Sequence, residues 1–316
     1  MIINRGKDSQ KPLRIAITGS TGLVGTELMS HGKNHGHTMI PIVRCSKGRE
    51  YGIPWDPEKE QLNPEDLEGC DVLIHLAGEN IGAHRWTTAQ KEKIHRSRWK
   101  GTNLLANTLC KLQRPPSVWL SASAIGYYGT GKNTDIYTES SPPPAGDNDD
   151  FLSRVVRDWE TATKPAMEAG IRTVWLRFGV ILSTKGGALR RMLPLFRCGL
   201  GGRMGTGKQI INWWSLSEIP DIVEFLIRHK DIQGPVNIVS PDSCPQLVFA
   251  EKLAKIMQRP SVVPTPAIAM QLVLGEMAGV LLKGGTILPK VLQNRNYRFR
   301  FPKLHNALSE ILAKRL

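Results

Sequence analysis

Cysteine is scarce. Five occur in 316 residues, at Cys45, Cys70, Cys110, Cys198 and Cys244, and none are spaced as C-x-x-C. That spacing argues against a disulfide framework or a thiolate zinc site, and it fits a reducing compartment. No metal site is expected. The opening MIINRGKDSQK has no apolar core of the kind a signal peptide needs. Later, the most apolar stretch runs from Val262 to Leu282 but carries Pro264, Pro266, Gln271 and Glu276. It predicts a buried helix after a Pro-rich turn rather than a membrane span. The third shortage is acid: 28 Asp and Glu face 42 Lys and Arg, for a net charge of +14. Such an excess invites a phosphate-bearing partner. The bases are dispersed, however, and no helix-turn-helix, zinc-finger or RNA-binding signature accompanies them. The expectation is a solvated basic surface whose field favours an anionic cofactor, in a cytoplasmic protein without a membrane or nucleic-acid partner.

What is present is an alternation of apolar strands and helical stretches, with no internal repeat. LRIAITG, TMIPIVR, DVLIHLAG, SVWLSAS and RTVWLRFG read as strands. Between them, VGTELMSHGKNHG, TTAQKEKIHRSRWKGTNLLANTLCKL and FLSRVVRDWETATKPAMEAG read as helices, the last begun by the acidic caps of SSPPPAGDNDD. The order implies an α/β fold, a doubly wound parallel sheet covered by helices on both faces. Residues 12–180 are expected to form a dinucleotide-binding domain, with 213–240 returning to it. Residues 181–212 and 241–316 would form a smaller, mostly helical lobe over the carboxyl edge of the sheet, where ligands of such sheets bind.

TGSTGLVG puts Gly19, Gly22 and Gly25 between the first strand and the first helix. There the turn, the close approach of phosphates and helix–strand packing each need a residue without a side chain. The helix amides would then face a pyrophosphate. The second strand ends in Arg44, with Ser46 and Lys47 beyond, where an NAD site would carry a carboxylate. A guanidinium suits a 2′-phosphate, which favours NADP(H). Gly202 to Lys208 is nearly a P-loop, but Gln209 stands where a Mg²⁺-binding hydroxyl belongs, and a plain loop is the better reading. Tyr128 and Lys132 have Y-x-x-x-K spacing. That pair works from one helical face, and Gly129 and Gly131 between them disfavour a helix. The match is a coincidence of spacing.

The chain resembles an atypical, epimerase-like branch of the extended short-chain dehydrogenases. The resemblance rests on TGSTGLVG, HLAGENI with Arg85–Trp86, SASAIGYYG, DFLSRVVRDWE, RFGVIL, GGALRRMLPLFRCGLGG, LGEMAG and YRFRFPKL. It implies that Ser123 is the active-site serine. It puts the positions of the usual Tyr and Lys at Leu152 and Val156, which cannot exchange a proton, and replaces a helix asparagine by Arg98. A His and an Asp usual in relatives are Ser215 and Ser217 here. Dinucleotide contacts are expected from Thr18, Gly19, Ser20, Thr21, Gly22, Leu23, Val24, Gly25, Arg44 and Ser46. Leu76, Ala77, Gly78, Arg98, Ser121 and Ile181 complete the set. Catalytic candidates are Ser123, Tyr127, Tyr128 and Glu79. The tyrosines could equally be packed aromatics, Glu79 a helix-start carboxylate, and Arg98 the partner of a surface acid. Two functions remain open: an oxidoreductase or epimerase acting on a small molecule, or a dinucleotide-responsive regulator without turnover. A homodimer is compatible with either.

Overall fold

The computed structural model describes residues 11–44, 50, 52–146 and 149–313, so Ser46 and Lys47 lie outside the described residues. The apolar runs become strands β1 (Arg14–Thr18), β2 (Thr38–Arg44), β3 (Ile53–Asp56), β4 (Gln61–Leu62), β5 (Val72–His75) and β6 (Val118–Ala124). Further on come β7 (Ile136–Tyr137), β8 (Thr173–Phe178), β9 (Val180–Leu182), β10 (Ile210–Ile211) and β11 (Trp213–Ser215). The last are β12 (Gly234–Ile238), β13 (Cys244–Pro245) and β14 (Thr286–Ile287). Among the described residues, eight strands form one sheet in the order β12-β8-β6-β5-β1-β2-β3-β4. Every pairing in it is parallel except β3 with β4. The strand pair at 53–62 has no counterpart in the sequence reading, because its apolar residues are too few to mark a strand.

The strands are apolar on both sides because both sides are covered. Ile15, Ile17, Val72, Ile74, Val174 and Leu176 pack toward α1 (Leu23–Asn34) and toward the later helix Ile219–Arg228. Ala16, Leu73 and Trp119 point the other way, toward α2 (Thr88–Leu109), where Leu105 and Leu109 meet them. Helix α3 (Phe151–Thr161) follows the Pro-rich loop, and the Asp150 carboxylate accepts from the Ser153 amide to cap it. It stops at Thr161, and α4 (Lys164–Glu168) starts afresh with Pro165 in its first turn.

A separate core joins Leu182, Leu189, Phe196, Trp213, Phe249, Leu253 and Leu304. They come from β9, α5 (Gly187–Arg197), β11, α7 (Gln246–Ile256) and the C-terminal helix, whereas α6 (Ile219–Arg228), between β11 and α7 in the chain, packs in the first core. After α7 come α8 (Ala267–Leu274), α9 (Ala278–Leu282), α10 (Lys290–Asn294) and α11 (Leu304–Ala313). The expectation of a buried helix in the apolar 262–282 stretch is corrected. Met270 is buried, but Ile268 is 70% and Leu272 72% exposed. An apolar run shows that a segment needs cover without showing that its own chain supplies it. No described helix is long and apolar enough to cross a membrane.

The candidate dinucleotide site and its serine network

β1, β5 and β6 are neighbours, so their carboxyl ends present the Gly19 turn, the Leu76–Gly78 segment and Ser123 along one edge. With one strand between them, β1 and β6 lie roughly 10 Å apart.

On the β1 side the shape is made of backbone. Gly19 has φ +67°, and a Cβ there would come 2.9 Å from the Leu76 carbonyl carbon. A Cβ on Gly25 would come 2.1 Å from the Gly19 carbonyl oxygen, so only glycine lets α1 start this close to the turn. The Gly22 amide closes the turn onto the Gly19 carbonyl at 2.9 Å. Helix α1 then begins at Leu23 and Val24 with no side-chain cap and no acid in its first turn. A backbone cradle that a Cβ would fill, opening on an uncapped helix end, fits a dinucleotide pyrophosphate. Ser20 and Thr21 lie on the rim, half-buried and exposed.

Thr18 is fully buried, and its hydroxyl accepts from the Leu76 and Ala77 amides at 3.0 and 3.1 Å. Its own proton therefore goes to His75 Nδ1 at 2.7 Å, which leaves Nε2 to donate to Thr102 at 3.0 Å. Burial pushes the His75 pKa down to about 3, with the Arg98 charge adding to the effect. A neutral imidazole thus locks β1 to β5 and α2. Leu76 and Ala77 offer surface rather than free amides to a ligand.

Arg98 reaches back under this segment. Its Nη1 donates to the carbonyls of Glu79 and Ile94, both at 3.1 Å, and the guanidinium lies 5.0 Å from the Trp159 ring centre. Burial lowers its pKa to about 10, partly opposed by the Glu79 charge. It also lies against Gly78. Glu79 is half-buried and held to α2, its amide donating to Ser97 and its carboxylate accepting from Gln90. Arg44 ends β2 with its side chain exposed, beside the Gly19 turn in the sheet order. Ile181 sits half-buried on β9, paired with Trp214.

On the β6 side the shape is made of side chains. Ser123 is buried, and its hydroxyl donates to Glu160 Oε1 at 2.6 Å. Arg177 faces the same carboxylate with Nε and Nη2, both at 2.8 Å. Its Nη1 donates to the Tyr128 hydroxyl at 3.0 Å, which in turn donates to Asn237 Oδ1 at 2.8 Å. Tyr128 is enclosed, and burial pushes its pKa up to about 12. Both sides of its hydroxyl are occupied within the protein. Tyr127 is half-buried, with the Arg177 guanidinium 3.5 Å from its ring centre. Ser121 is buried one pleat earlier on the same face of β6.

Leu152 and Val156 are buried and pack toward Gly126, where a Cβ would meet them at 3.5 and 3.7 Å. The Ile125–Tyr128 turn is 3-10 and ends at Gly129, φ +66°. Residues 129–135 are irregular, and the Lys132 side chain is exposed. No helical face joins Tyr128 to Lys132. In the 202–208 loop, Gln209 donates to the carbonyls of Met204 and Leu281, so it braces the loop. The Ser215 and Ser217 hydroxyls bond each other at 3.0 Å.

Sequence reasoning missed Glu160, Arg177 and Asn237. A signal was available for one of them. Arg177 is the lone charge within the apolar strand TVWLRF, and a charge there requires a buried partner.

A parallel sheet with a glycine turn at its first strand and a serine two strands away defines a Rossmann-type fold of the extended short-chain dehydrogenase kind. Residues 15–238 match the family described as NAD dependent epimerase/dehydratase, and residues 265–311 match a domain of unknown function, DUF1731. The chain belongs to the NAD dependent epimerase/dehydratase family. An epimerase family protein of Mycobacterium tuberculosis is 35% identical over 299 residues, covering 94% of this chain and 96% of its own length. The human epimerase family protein SDR39U1 is 33% identical over 304 residues, covering 95% and 100%. The crystal structure of human SDR39U1 (isoform 2) with NADPH superposes with a TM-score of 0.87 at 32% identity, over 96% of this chain and all of that one. A UDP-N-acetylglucosamine 4-epimerase from Bacillus cereus shares the fold, with a TM-score of 0.73 at 18% identity.

Proposed function

We propose that the chain binds NADP(H) across the Gly19–Gly25 turn and acts as an oxidoreductase or epimerase on a small molecule, without the usual Tyr/Lys pair. The cofactor reading is supported by the glycine cradle, by Arg44 in place of a ribose-binding carboxylate, and by the NADPH held by the human relative. When bound, the nicotinamide supplies the hydride chemistry.

One contact carries the catalytic reading: the Ser123 hydroxyl donates to Glu160 at 2.6 Å. Its proton being committed there, Ser123 presents lone pairs to the cleft. A substrate hydroxyl can donate to Ser123 while Ser123 passes its own proton to Glu160. The same path run backwards protonates a carbonyl oxygen. Arg177 fixes the carboxylate so that both transfers occur along one line. Tyr128 has no free side with which to take part, and Tyr127 is left as a substrate-facing wall.

The test is NADPH oxidation against a panel of small carbonyl compounds. Ser123→Ala should lower the rate by about 10²–10⁴, the scale of a lost proton-transfer group, whereas Val156→Ala leaves it nearly unchanged. Equal activity in both variants would show that Ser123 is structural. A second reading is favoured by the apolar packing of Leu152 and Val156: a dinucleotide-responsive regulator. NADPH binding without turnover on any compound of the panel would select it.

A further inference from the structure

Eleven large hydrophobic side chains are exposed among the described residues, and seven of them lie on just two segments, 195–208 and 258–283. Val262, Ile268 and Leu272 are each at least 70% exposed. The segments are stitched together: the Thr265 amide donates to the Arg203 carbonyl at 2.7 Å, and Arg259 Nε to the Arg197 carbonyl at 2.9 Å. Interspersed with the aliphatics are five exposed bases: Arg197, Arg203, Lys208, Arg259 and Lys283. The two segments contain a single acid, Glu276, and it is engaged by Lys91 of α2.

A concentration of exposed aliphatics on two joined segments marks an interaction surface. A second copy is a poor occupant, since a two-fold contact would set the same five cations against themselves. The exposed apolar residues of these segments are all aliphatic, without the Trp and Tyr anchors that dominate protein interfaces. Aliphatics flanked by bases are what an acyl boundary beneath anionic headgroups accepts.

We propose that this face docks the protein on an anionic phospholipid surface, with Ile268 and Leu272 of α8 entering the acyl boundary and the five bases on the headgroups. No described helix offers a membrane span. A peripheral face needs none.

The experiment is co-sedimentation of the full chain with phosphatidylcholine vesicles, with and without phosphatidylglycerol, at about 0.1 M salt. Binding is expected only to the anionic vesicles. Arg203→Gln with Lys283→Gln should weaken it about thirtyfold, each base contributing roughly a factor of five. Ile268→Asp with Leu272→Asp should abolish it while the melting temperature stays unchanged, both side chains being exposed. Absence of binding overturns the proposal. So does binding that survives the Asp pair, which would reflect general basic charge, or a dimer of the unaltered chain that the Asp pair dissolves, which would make a second copy the occupant.

Discussion

The two ends of the site are built from different materials. Around Gly19 the surface is backbone, set by glycines that leave no room for a Cβ. Around Ser123 it is side chain, set by a buried carboxylate–guanidinium pair and the tyrosine and asparagine beyond it. Backbone cradles tolerate many ligand chemistries so long as an anion is present. A side-chain network fixes the direction of a particular hydroxyl. Affinity and reactivity should therefore be separable in this molecule.

The contrast breaks most sharply at Arg177. Arg177→Leu leaves the Glu160 carboxylate buried without its partner and should cost about 3–5 kcal/mol in urea unfolding. Adding Glu160→Leu should restore part of that loss. A small cost for the single change would mean that water reaches the pair and that the β6 side is not closed.

Next is Gly25→Ala. Its Cβ would press on the Gly19 carbonyl, costing about 1–3 kcal/mol and abolishing NADPH binding in calorimetry. Retained binding would show that the turn is adaptable.

The third concerns pH. The folded His75 pKa, about 3, lies below its ordinary 6.5, so the stability tied to the neutral ring is complete above 6.5. It declines as pH falls from there toward 3, by about 1.4 kcal/mol per pH unit. Urea midpoints at stepped pH should show this slope, and His75→Gln should flatten it.

The smallest effect is expected at Arg44. Arg44→Asp should erase or reverse a preference for NADPH over NADH of about tenfold, the scale of one charge-assisted contact. Equal affinities in the unaltered protein would remove the argument for NADP(H).

The backbone end was legible in the sequence because its determinants are local. Gly19, Gly22 and Gly25 sit within seven residues of one another, between an apolar strand and a helix. The strands were legible because being covered on both faces makes them continuously apolar. The serine end was legible only at Ser123. Glu160 closes an amphipathic helix and reads as a surface acid until α3 is placed over β6 and β8, and Asn237 lies in a strand far along the chain. The apolar stretch at 262–282 misled for the opposite reason. Hydropathy records what a segment avoids, and the cover it implies can come from another molecule.

Glu139 adds a point about order in time. Its carboxylate accepts from the backbone amides of Asn237, Lys290 and Val291, so one side chain clips together segments 98 to 152 residues apart. Loops of that length are expensive to close alone, and the clip can shut only after the sheet has brought β12 beside β8. Such a clip is expected to close late in assembly and to open early. A weaker clip therefore leaves the folding rate alone and shortens the lifetime of the folded molecule.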